Sequence, residues 1–192
     1  MGLSKRFDEA LMYAAELHAE QQRKGTAIPY ISHPLAVAAI ALEHGADEDE
    51  AMGALLHDAI EDAGGDRTRQ EIRARFGDTV VTIVDGCTDT DETPKPPWRE
   101  RKEAYIAHAT DAPRSVLLVS ASDKLHNARA ILADYRSLGD SLWERFNGGK
   151  EGTLWYYRSL VTAYRSNPQA NRPLIDELDR VVSEIERMAA VR

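Results

Sequence analysis

The segment from His57 to Asp62 places an imidazole and three carboxylates within one short stretch of chain. On a helix these groups fan over an arc of about 140°, because each residue turns by about 100°. Three neighbouring carboxylates repel one another and raise each other's pKa unless a cation lies among them. A divalent metal ion is such a cation, and histidine with aspartate are suitable ligands for it. The alternative is a helix C-terminus with solvated acids, although acids there oppose the helix dipole.

Two further segments could complete a metal site. His33 stands near the start of a predicted helix, and a lone histidine is more often a core or capped residue than a ligand. Asp123 and Asn127 share a helix face at i,i+4 spacing, where a surface charge cluster is the simpler interpretation. Taken together, two imidazoles and two carboxylates come from three helices: His33, His57, Asp58 and Asp123. This mixed set of nitrogen and oxygen donors predicts an ion such as Mn²⁺, Fe²⁺ or Zn²⁺.

The elements that must position these residues are predicted to be helices almost throughout. Apolar residues recur at helical spacing over residues 4–22, and a single helix is predicted over residues 47–62. A long segment follows Pro113 and begins with the apolar run Val116–Val119, which could be a strand. Its continuation is helical and no partner strand is evident, so the pattern favours a helix.

A single domain is predicted over residues 1–192, since no internal repeat or interdomain linker is evident. Its fold class is all-α, a bundle of about eight to ten helices. Residues 88–97 are acidic and rich in proline, and they form the clearest predicted loop, either a lid or a disordered segment. A short helix is predicted over residues 140–147.

Bulk composition describes an ordinary soluble globular chain. Hydrophobic residues make up 43% and charged residues 29% of 192 residues, enough for one domain with a substantial core. A net charge of −8 argues against nucleic-acid or anionic-membrane partners. No apolar run approaches the ~18 residues of a membrane span. Because Cys87 is the only cysteine and the first residues contain no apolar signal core, we expect a cytoplasmic protein.

The sequence resembles the HD superfamily of metal phosphohydrolases, whose ligand pattern is H…HD…D. It is more closely similar to the hydrolase domain of the RelA/SpoT family, especially the stand-alone small alarmone hydrolases. The likeness covers roughly residues 5–165. Four segments carry it: Arg23-Lys24-Gly25 with Pro29-Tyr30-Ile31-Ser32-His33-Pro34; His57-Asp58-Ala59-Ile60-Glu61-Asp62; Phe76-Gly77 through Val84-Asp85-Gly86-Cys87-Thr88; and Asp123-Lys124-Leu125-His126-Asn127. These segments in this order are a specific signature.

That resemblance implies a reaction and a role for each matching residue. The family removes the 3′-diphosphate of guanosine tetra- or pentaphosphate (ppGpp or pppGpp), which gives pyrophosphate and GDP or GTP. One Mn²⁺ per chain is implied to be bound by the residues that match the metal set: His33, His57, Asp58 and Asp123. Glu61 and Asp62 are implied to be catalytic, and Asn127 to lie in the substrate site.

Cations near the predicted metal site are candidate phosphate ligands. Arg23 and Lys24 stand in the loop just before His33, where Arg23 could stack on a base and Lys24 could meet a phosphate. Similarity to the same hydrolases adds Lys102 and Lys150. Each of these four side chains could instead be a solvated charge at a helix end.

The chemistry of the residues agrees with the implied reaction. A bound metal lowers the pKa of a water molecule and polarises a phosphoryl oxygen. Glu61, with Asp62 beside it, can orient that water and accept its proton. Four histidines have no evident partner and are interpreted as structural: His18, His44, His108 and His126. The family often has arginine where this chain has Lys124, a position expected to lie away from the ligand face.

Three functions remain open at this point. The first is a ppGpp 3′-pyrophosphohydrolase, which acts on a guanosine polyphosphate as a monomer or small homo-oligomer. The second keeps the metal but changes the substrate, as in an NADPH 2′-phosphatase or a nucleotidase. The third is a catalytically inactive nucleotide-binding module. The Arg23-Lys24-Gly25 segment and the Glu61-Asp62 pair favour the first, and the intact ligand set speaks against the third.

Overall fold

Helices make up nearly all of the regular structure in a computed structural model that describes residues 2–90, 92 and 94–190. In chain order they are α1 (Lys5–Leu17), α2 (Ser32–Glu43), α3 (Glu48–Leu56), α4 (Ala59–Asp62), α5 (Asp66–Phe76), α6 (Asp78–Cys87), α7 (Trp98–Ala109), α8 (Arg114–Leu138), a 3₁₀ helix (Gly139–Arg145), α9 (Gly149–Ser166) and α10 (Arg172–Ala190). Within the described ranges there is no β-strand, only one isolated bridge between Gln22 and Pro29. The all-α prediction and its approximate number of helices are confirmed.

Helix α8 lies at the centre of the molecule. The segment from Val116 to Ala121 is buried at every position, and α2, α3, α6 and α10 pack against the helix. A helix that is apolar around its whole circumference needs neighbours on every side. The apolar run Val116–Val119 is therefore helical, as predicted. It is buried on every side because other helices surround it. No described helix has both the length and the apolar character needed to cross a membrane.

Two glycines allow α6 to pack closely between α3 and α8. A Cβ atom at Gly53 of α3 would lie 2.6 Å from Cγ2 of Ile83 in α6. A Cβ atom at Gly86 of α6 would lie 2.6 Å from Cγ2 of Val116 in α8. Both distances are far below ordinary carbon–carbon contact. This close packing brings the end of α3 and the middle of α8, which carry site residues, to the same region.

Residues 47–62 form two helices, α3 and α4, rather than the single helix predicted from the apolar pattern. His57 and Asp58 lie between them. Nδ1 of His57 donates a hydrogen bond to the carbonyl oxygen of Ala54 at 2.8 Å. In a continuous helix the amide of Asp58 would bond that oxygen. The pattern could not reveal this break because both residues keep right-handed helical backbone angles.

Two loops lie close to the site. Helix α1 ends at Leu17, earlier than the predicted 4–22, and the chain then turns toward the start of α2. The predicted loop at 88–97 contains no regular element up to Trp98 in its described part. The choice between a lid and a disordered segment rests partly on residues 91 and 93, which lie outside the described residues. The predicted helix over 140–147 is the 3₁₀ helix.

Candidate metal centre and substrate cleft

Four side chains converge where α2, the α3–α4 junction and α8 meet. His33 lies in the first turn of α2, and Asp123 lies in the middle of α8. Nε2 of His33 is 3.2 Å from Nε2 of His57 and 3.1 Å from Oδ1 of Asp123. Nε2 of His57 is 3.0 Å from Oδ2 of Asp58 and 3.7 Å from Oδ1 of Asp123. The structure thus brings together all four residues singled out as metal ligands.

Their spacing fits a shared metal ion. Metal–ligand bonds of about 2.0–2.2 Å, at tetrahedral or octahedral angles, put neighbouring donor atoms about 2.8–3.6 Å apart. The donor atoms of His33, His57 and Asp58 all lie within 4.8 Å of one another. Two imidazole nitrogens that face each other with lone pairs repel unless a cation lies between them. The mixed nitrogen and oxygen set therefore fits a divalent cation.

Electrostatics in the cluster also favour a bound cation. Burial raises the pKa of the Asp58 carboxyl, but His57 and His33 outweigh burial and hold that pKa well below its usual value. Burial likewise raises the pKa of Asp123, and Lys124 with the two histidines outweighs it. Both carboxylates are therefore ionised. Asp58 and Asp123 in turn raise the pKa of His57 well above its usual value, against the effect of burial. The two carboxylates therefore favour a positive charge at this point, which a divalent cation would supply.

Hydrogen bonds behind the imidazoles determine which nitrogen faces the cluster. Because Nδ1 of His57 donates to the Ala54 carbonyl, its Nε2 is the nitrogen that faces the carboxylates of Asp58 and Asp123. Nδ1 of His33 lies 2.7 Å from Nδ1 of His126. Burial, helped by the neighbouring His33, lowers the pKa of His126 to about 4, so His126 is neutral and can accept. His33 then donates through Nδ1 and offers Nε2 to the metal.

His126 is a site residue that sequence reasoning missed. It was interpreted as structural because it lies off the helix face shared by Asp123 and Asn127. Because a helix turns by about 100° per residue, a residue three positions along lies only about 60° away around the helix, close enough for His126 to reach His33. The useful signal was its place inside the segment Asp123–Asn127, three positions from the candidate ligand Asp123.

Replacing His126 by phenylalanine is expected to weaken binding of a divalent cation about 10- to 100-fold, the usual effect of losing an outer hydrogen bond to a metal-binding histidine. The ring volume is kept, but His33 loses the acceptor that orients it. Calorimetric titration with Mn²⁺ measures the change. The matched control is His108→Phe, on the exposed side of α7. Unchanged affinity in the His126 variant would show that this contact does not support the metal ligands.

Further polar contacts surround the two carboxylates. The hydroxyl of Tyr30 donates to Oδ2 of Asp58 at 2.5 Å. Burial, together with Asp58, raises the pKa of Tyr30 and keeps that hydroxyl protonated. Nδ2 of Asn127 and Nζ of Lys124 both bond Asp123, each at 2.5 Å. Lys124 was expected to lie away from the ligand face, and that expectation was wrong, because its ammonium reaches the ligand carboxylate.

Two adjoining cavities open beside the cluster, with volumes of about 340 and 450 Å³. The smaller one, here the metal cavity, includes His33, Asp58 and Asp123 in its walls. The larger one, here the outer cavity, has an apolar floor that includes Ile131, Leu142 and Phe146. Both cavities share a set of polar and aromatic residues: Arg23, Lys24, Tyr30, Lys102, Lys124, Asn127, Phe146, Tyr156 and Tyr157. A ligand with a phosphate group at one end and an apolar ring at the other fits this arrangement.

The two carboxylates implied to be catalytic lie in different surroundings. Glu61 lines the metal cavity, and its Oε1 is 2.7 Å from Nζ of Lys95 in the loop before α7. Asp62 is exposed and accepts a hydrogen bond from Nε2 of Gln21 at 2.9 Å. It is not among the residues that line either cavity. The structure therefore places Glu61 at the cavity, whereas Asp62 lies outside the lining of both cavities.

Most of the predicted substrate ligands line the cleft. Nη2 of Arg23 donates to Oδ1 of Asn127 at 2.8 Å, and the guanidinium lies 5.8 Å from the Tyr30 ring centre. Lys24 and Lys102 line both cavities. Lys150, at the start of α9, lines neither cavity. Its ammonium lies 3.3 Å from Oδ1 of Asp140 in the 3₁₀ helix. The structure thus brings four of the five predicted ligands to the cleft and leaves Lys150 outside its lining.

Arg101 is a second cation that sequence reasoning missed. It lines the metal cavity and forms an ion pair with Asp89, a loop carboxylate that also lies 3.1 Å from Nζ of Lys102. Both basic side chains are largely buried. Nothing in the helical pattern distinguishes Arg101 from the surrounding charges of α7, since its position depends on a contact with the preceding loop.

Comparison with known proteins agrees with this geometry. The model of the HD domain family matches residues 10–153. The guanosine-3′,5′-bis(diphosphate) 3′-pyrophosphohydrolase MESH1 of Xenopus tropicalis is 42% identical over 126 residues, which cover 64% of this chain and 68% of that protein. Its namesake in Danio rerio is 40% identical over 128 residues, which cover 64% and 67%.

A solved structure gives the same result for the fold. It is described as "A metazoan ortholog of SpoT hydrolyzes ppGpp and plays a role in starvation responses". It matches with a TM-score of 0.78 at 27% identity, covering 96% of this chain and 98% of that one. The predicted likeness to HD-type and SpoT-type hydrolases is confirmed. The chain therefore belongs to the HD domain family and is a homologue of the MESH1 pyrophosphohydrolases.

Proposed function

We propose that this protein is a metal-dependent hydrolase that removes the 3′-diphosphate of ppGpp or pppGpp and releases pyrophosphate with GDP or GTP. The observation that carries the proposal is a cluster of four candidate metal ligands at the wall of a cleft lined by cations. The activity in the names of its relatives supports it.

Mn²⁺ is the proposed metal, held by His33, His57, Asp58 and Asp123. When bound, it supplies a water of lowered pKa and a polarised phosphoryl oxygen. Two imidazoles with two carboxylates suit an ion of intermediate character, which agrees with manganese. Tyr30 and His126 keep two of these ligands in place through hydrogen bonds on their outer sides.

Glu61 is the proposed general base. Its carboxylate lines the metal cavity, so it can accept the proton of the attacking water. Asp62, one residue further along α4, is proposed to orient that water. Because α4 has only four residues, both side chains depend on contacts with other segments for their positions.

Four cations line both cavities of the cleft for a substrate that itself carries many negative charges. In the proposed binding mode the 3′-diphosphate occupies the metal cavity, near Lys102 and Lys124. The guanosine and its 5′-diphosphate occupy the outer cavity, where Arg23 and Lys24 lie at the shared boundary. Lys150 lies outside both cavities, and it is proposed to act only if the loop before α9 moves. Local cations reverse the field of a chain whose net charge is −8.

The KM for a phosphorylated substrate is expected to rise as pH increases through about 7. Burial, with the charges of Lys124 and Arg101, lowers the pKa of Lys102 to about 7. Lys102 is therefore cationic below that pH and neutral above it, and the cationic form binds phosphate more tightly. Steady-state kinetics across this range measures the effect. Lys102→Arg should flatten the curve because a guanidinium stays charged, and an equal rise in that variant would assign the pH effect to another group.

A different nucleotide substrate is the main alternative. NADPH or a simple nucleotide could use the same metal cluster, but the relatives are named for ppGpp hydrolysis. An inactive binding module would not need the four-residue metal cluster that this chain retains. A panel of ppGpp, pppGpp, NADPH and simple nucleotides tests the choice by comparing kcat/KM. The proposal expects ppGpp or pppGpp to rank first, and a higher value for NADPH would overturn it.

A further inference from the structure

His18 is a buried histidine that the metal cluster does not use. It follows α1 directly and only 2% of its surface is exposed. Its ring lies 4.8 Å from the Tyr30 ring. Nδ1 is 2.6 Å from Oε1 of Gln21, whereas Nε2 is buried without a hydrogen-bond partner among the described residues. A buried polar atom without a partner costs free energy of folding. If the ring served packing alone, a phenylalanine at this position would give a more stable protein.

The hydrogen bonds of Gln21 allow one assignment of donors and acceptors. Nε2 of Gln21 donates to Oδ2 of Asp62 at 2.9 Å. An ionised carboxylate can only accept, so the amide nitrogen faces Asp62 and the amide oxygen faces His18. Because an amide oxygen also can only accept, Nδ1 of His18 carries the hydrogen. The histidine thus fixes the orientation of the glutamine, and the glutamine presents its N–H group to Asp62.

Asp62 needs this support because its own backbone provides little. It is the last residue of the four-residue helix α4, and the chain continues into Gly64 and Gly65, both with positive φ. Its side chain is exposed and free to rotate without a partner. Gln21 comes from a separate segment, so the hydrogen bond ties the end of α4 to the loop that follows α1.

The same loop also reaches the start of α4. Tyr30, whose ring contacts His18, donates to Oδ2 of the proposed ligand Asp58. The loop therefore bonds the carboxylate before α4 through Tyr30 and the carboxylate at its end through Gln21. Glu61 lies between these two fixed points.

We propose that His18 and Gln21 are positioning residues that hold Asp62 for the hydrolytic step. His18 orients the Gln21 amide, the amide occupies Oδ2 of Asp62, and Oδ1 stays available to the water. This inference rests on the proposed function. Neither residue touches the substrate, so both act on turnover through Asp62.

Gln21→Met tests the role because it keeps the side-chain length and removes the amide. We expect kcat for ppGpp to fall about 10- to 100-fold, the effect of losing one hydrogen bond to a charged group. KM, metal content and thermal stability should stay close to those of the wild type. Gln22→Met is the matched control, since Gln22 is exposed and adjacent in sequence. Equal kcat values for the two variants would overturn the proposal.

Two His18 variants separate positioning from packing. His18→Phe keeps a ring against Tyr30 but removes the donor, and we expect the same loss of kcat as in Gln21→Met. His18→Asn can place an amide N–H near the position of Nδ1–H, and we expect it to recover most of the activity. An active His18→Phe variant beside an impaired His18→Asn variant would show that the ring matters for packing and would refute the orienting role.

A measurement without turnover distinguishes this inference from the proposed function. If the wild type releases no pyrophosphate from ppGpp, the proposed function fails, while the hydrogen bonds remain testable by ¹H–¹⁵N NMR of the histidine side chains. We expect His18 to carry its hydrogen on Nδ1 in the wild type, with that hydrogen exchanging faster in Gln21→Met. A hydrogen on Nε2 in the wild type would contradict the assignment.

Discussion

Glu61→Gln is expected to lower the turnover of ppGpp about 10²- to 10⁴-fold while the protein keeps its bound metal. The substitution preserves shape but removes the carboxylate that is proposed to accept the proton of the attacking water. Glu61 lines the metal cavity without joining the cluster of donor atoms around His33 and His57. Steady-state kinetics with metal analysis of the same samples measures both quantities.

A second effect of this substitution must be separated from the first. Glu61 is ion-paired with Lys95, which is 47% exposed. Lys95→Met removes that pair and leaves the proposed base, so we expect it to change turnover only slightly, as exposed ion pairs contribute about 0–1 kcal/mol. Unchanged turnover in Glu61→Gln would refute the assigned role, and loss of metal in that variant would make Glu61 a ligand instead.

Asp123→Asn is expected to weaken metal binding by more than about 100-fold, because loss of an outer hydrogen bond alone costs 10- to 100-fold. Oδ1 of Asp123 lies 3.1 Å from Nε2 of His33, so the substitution removes a negative charge at the centre of the cluster. Turnover should fall in parallel, since the proposed hydrolysis depends on a bound metal. Metal titration followed by activity assays at saturating Mn²⁺ measures the change.

The matched control is Asp134→Asn on the same helix. Asp134 lies in the outer cavity and pairs with Arg145 at 3.0 Å, so metal affinity should be unchanged. Asp123 also holds the ammonium of Lys124, whose pKa it raises against the effect of burial. Asp58→Asn is therefore a second test, because among the described residues the Asp58 carboxylate contacts histidines and no lysine. Normal metal affinity in both cluster variants would show that the ion is bound elsewhere.

Sequence reasoning identified the cluster because its members are chemically unusual for their positions. His57 and Asp58 follow a fully apolar stretch of α3, and Asp123 follows the buried run of α8. Polar groups at such places need partners, so the helical pattern and the residue types were enough to connect them. The class of the fold followed from the same periodicity.

The site contacts that sequence reasoning missed depend mostly on how side chains meet in the folded protein. The bonds between His126 and His33 and between Arg101 and Asp89 arise only once the segments pack. The bond from Lys124 to Asp123 joins adjacent residues and depends on the side-chain conformation of the lysine, which the helical pattern does not specify. The break between α3 and α4 depends on a side-chain hydrogen bond of His57 that no propensity scale includes. Lys150 followed from resemblance alone, and the structure pairs it with Asp140.

Product analysis of ppGpp hydrolysis tests the central claim most directly. The protein, first stripped of metal with a chelator, is loaded with Mn²⁺ and incubated with ppGpp, and products are separated by anion-exchange chromatography. We expect equimolar GDP and pyrophosphate, no reaction before loading, and restored activity afterwards. Orthophosphate as the only phosphate product, or equal rates with and without metal, would contradict the account.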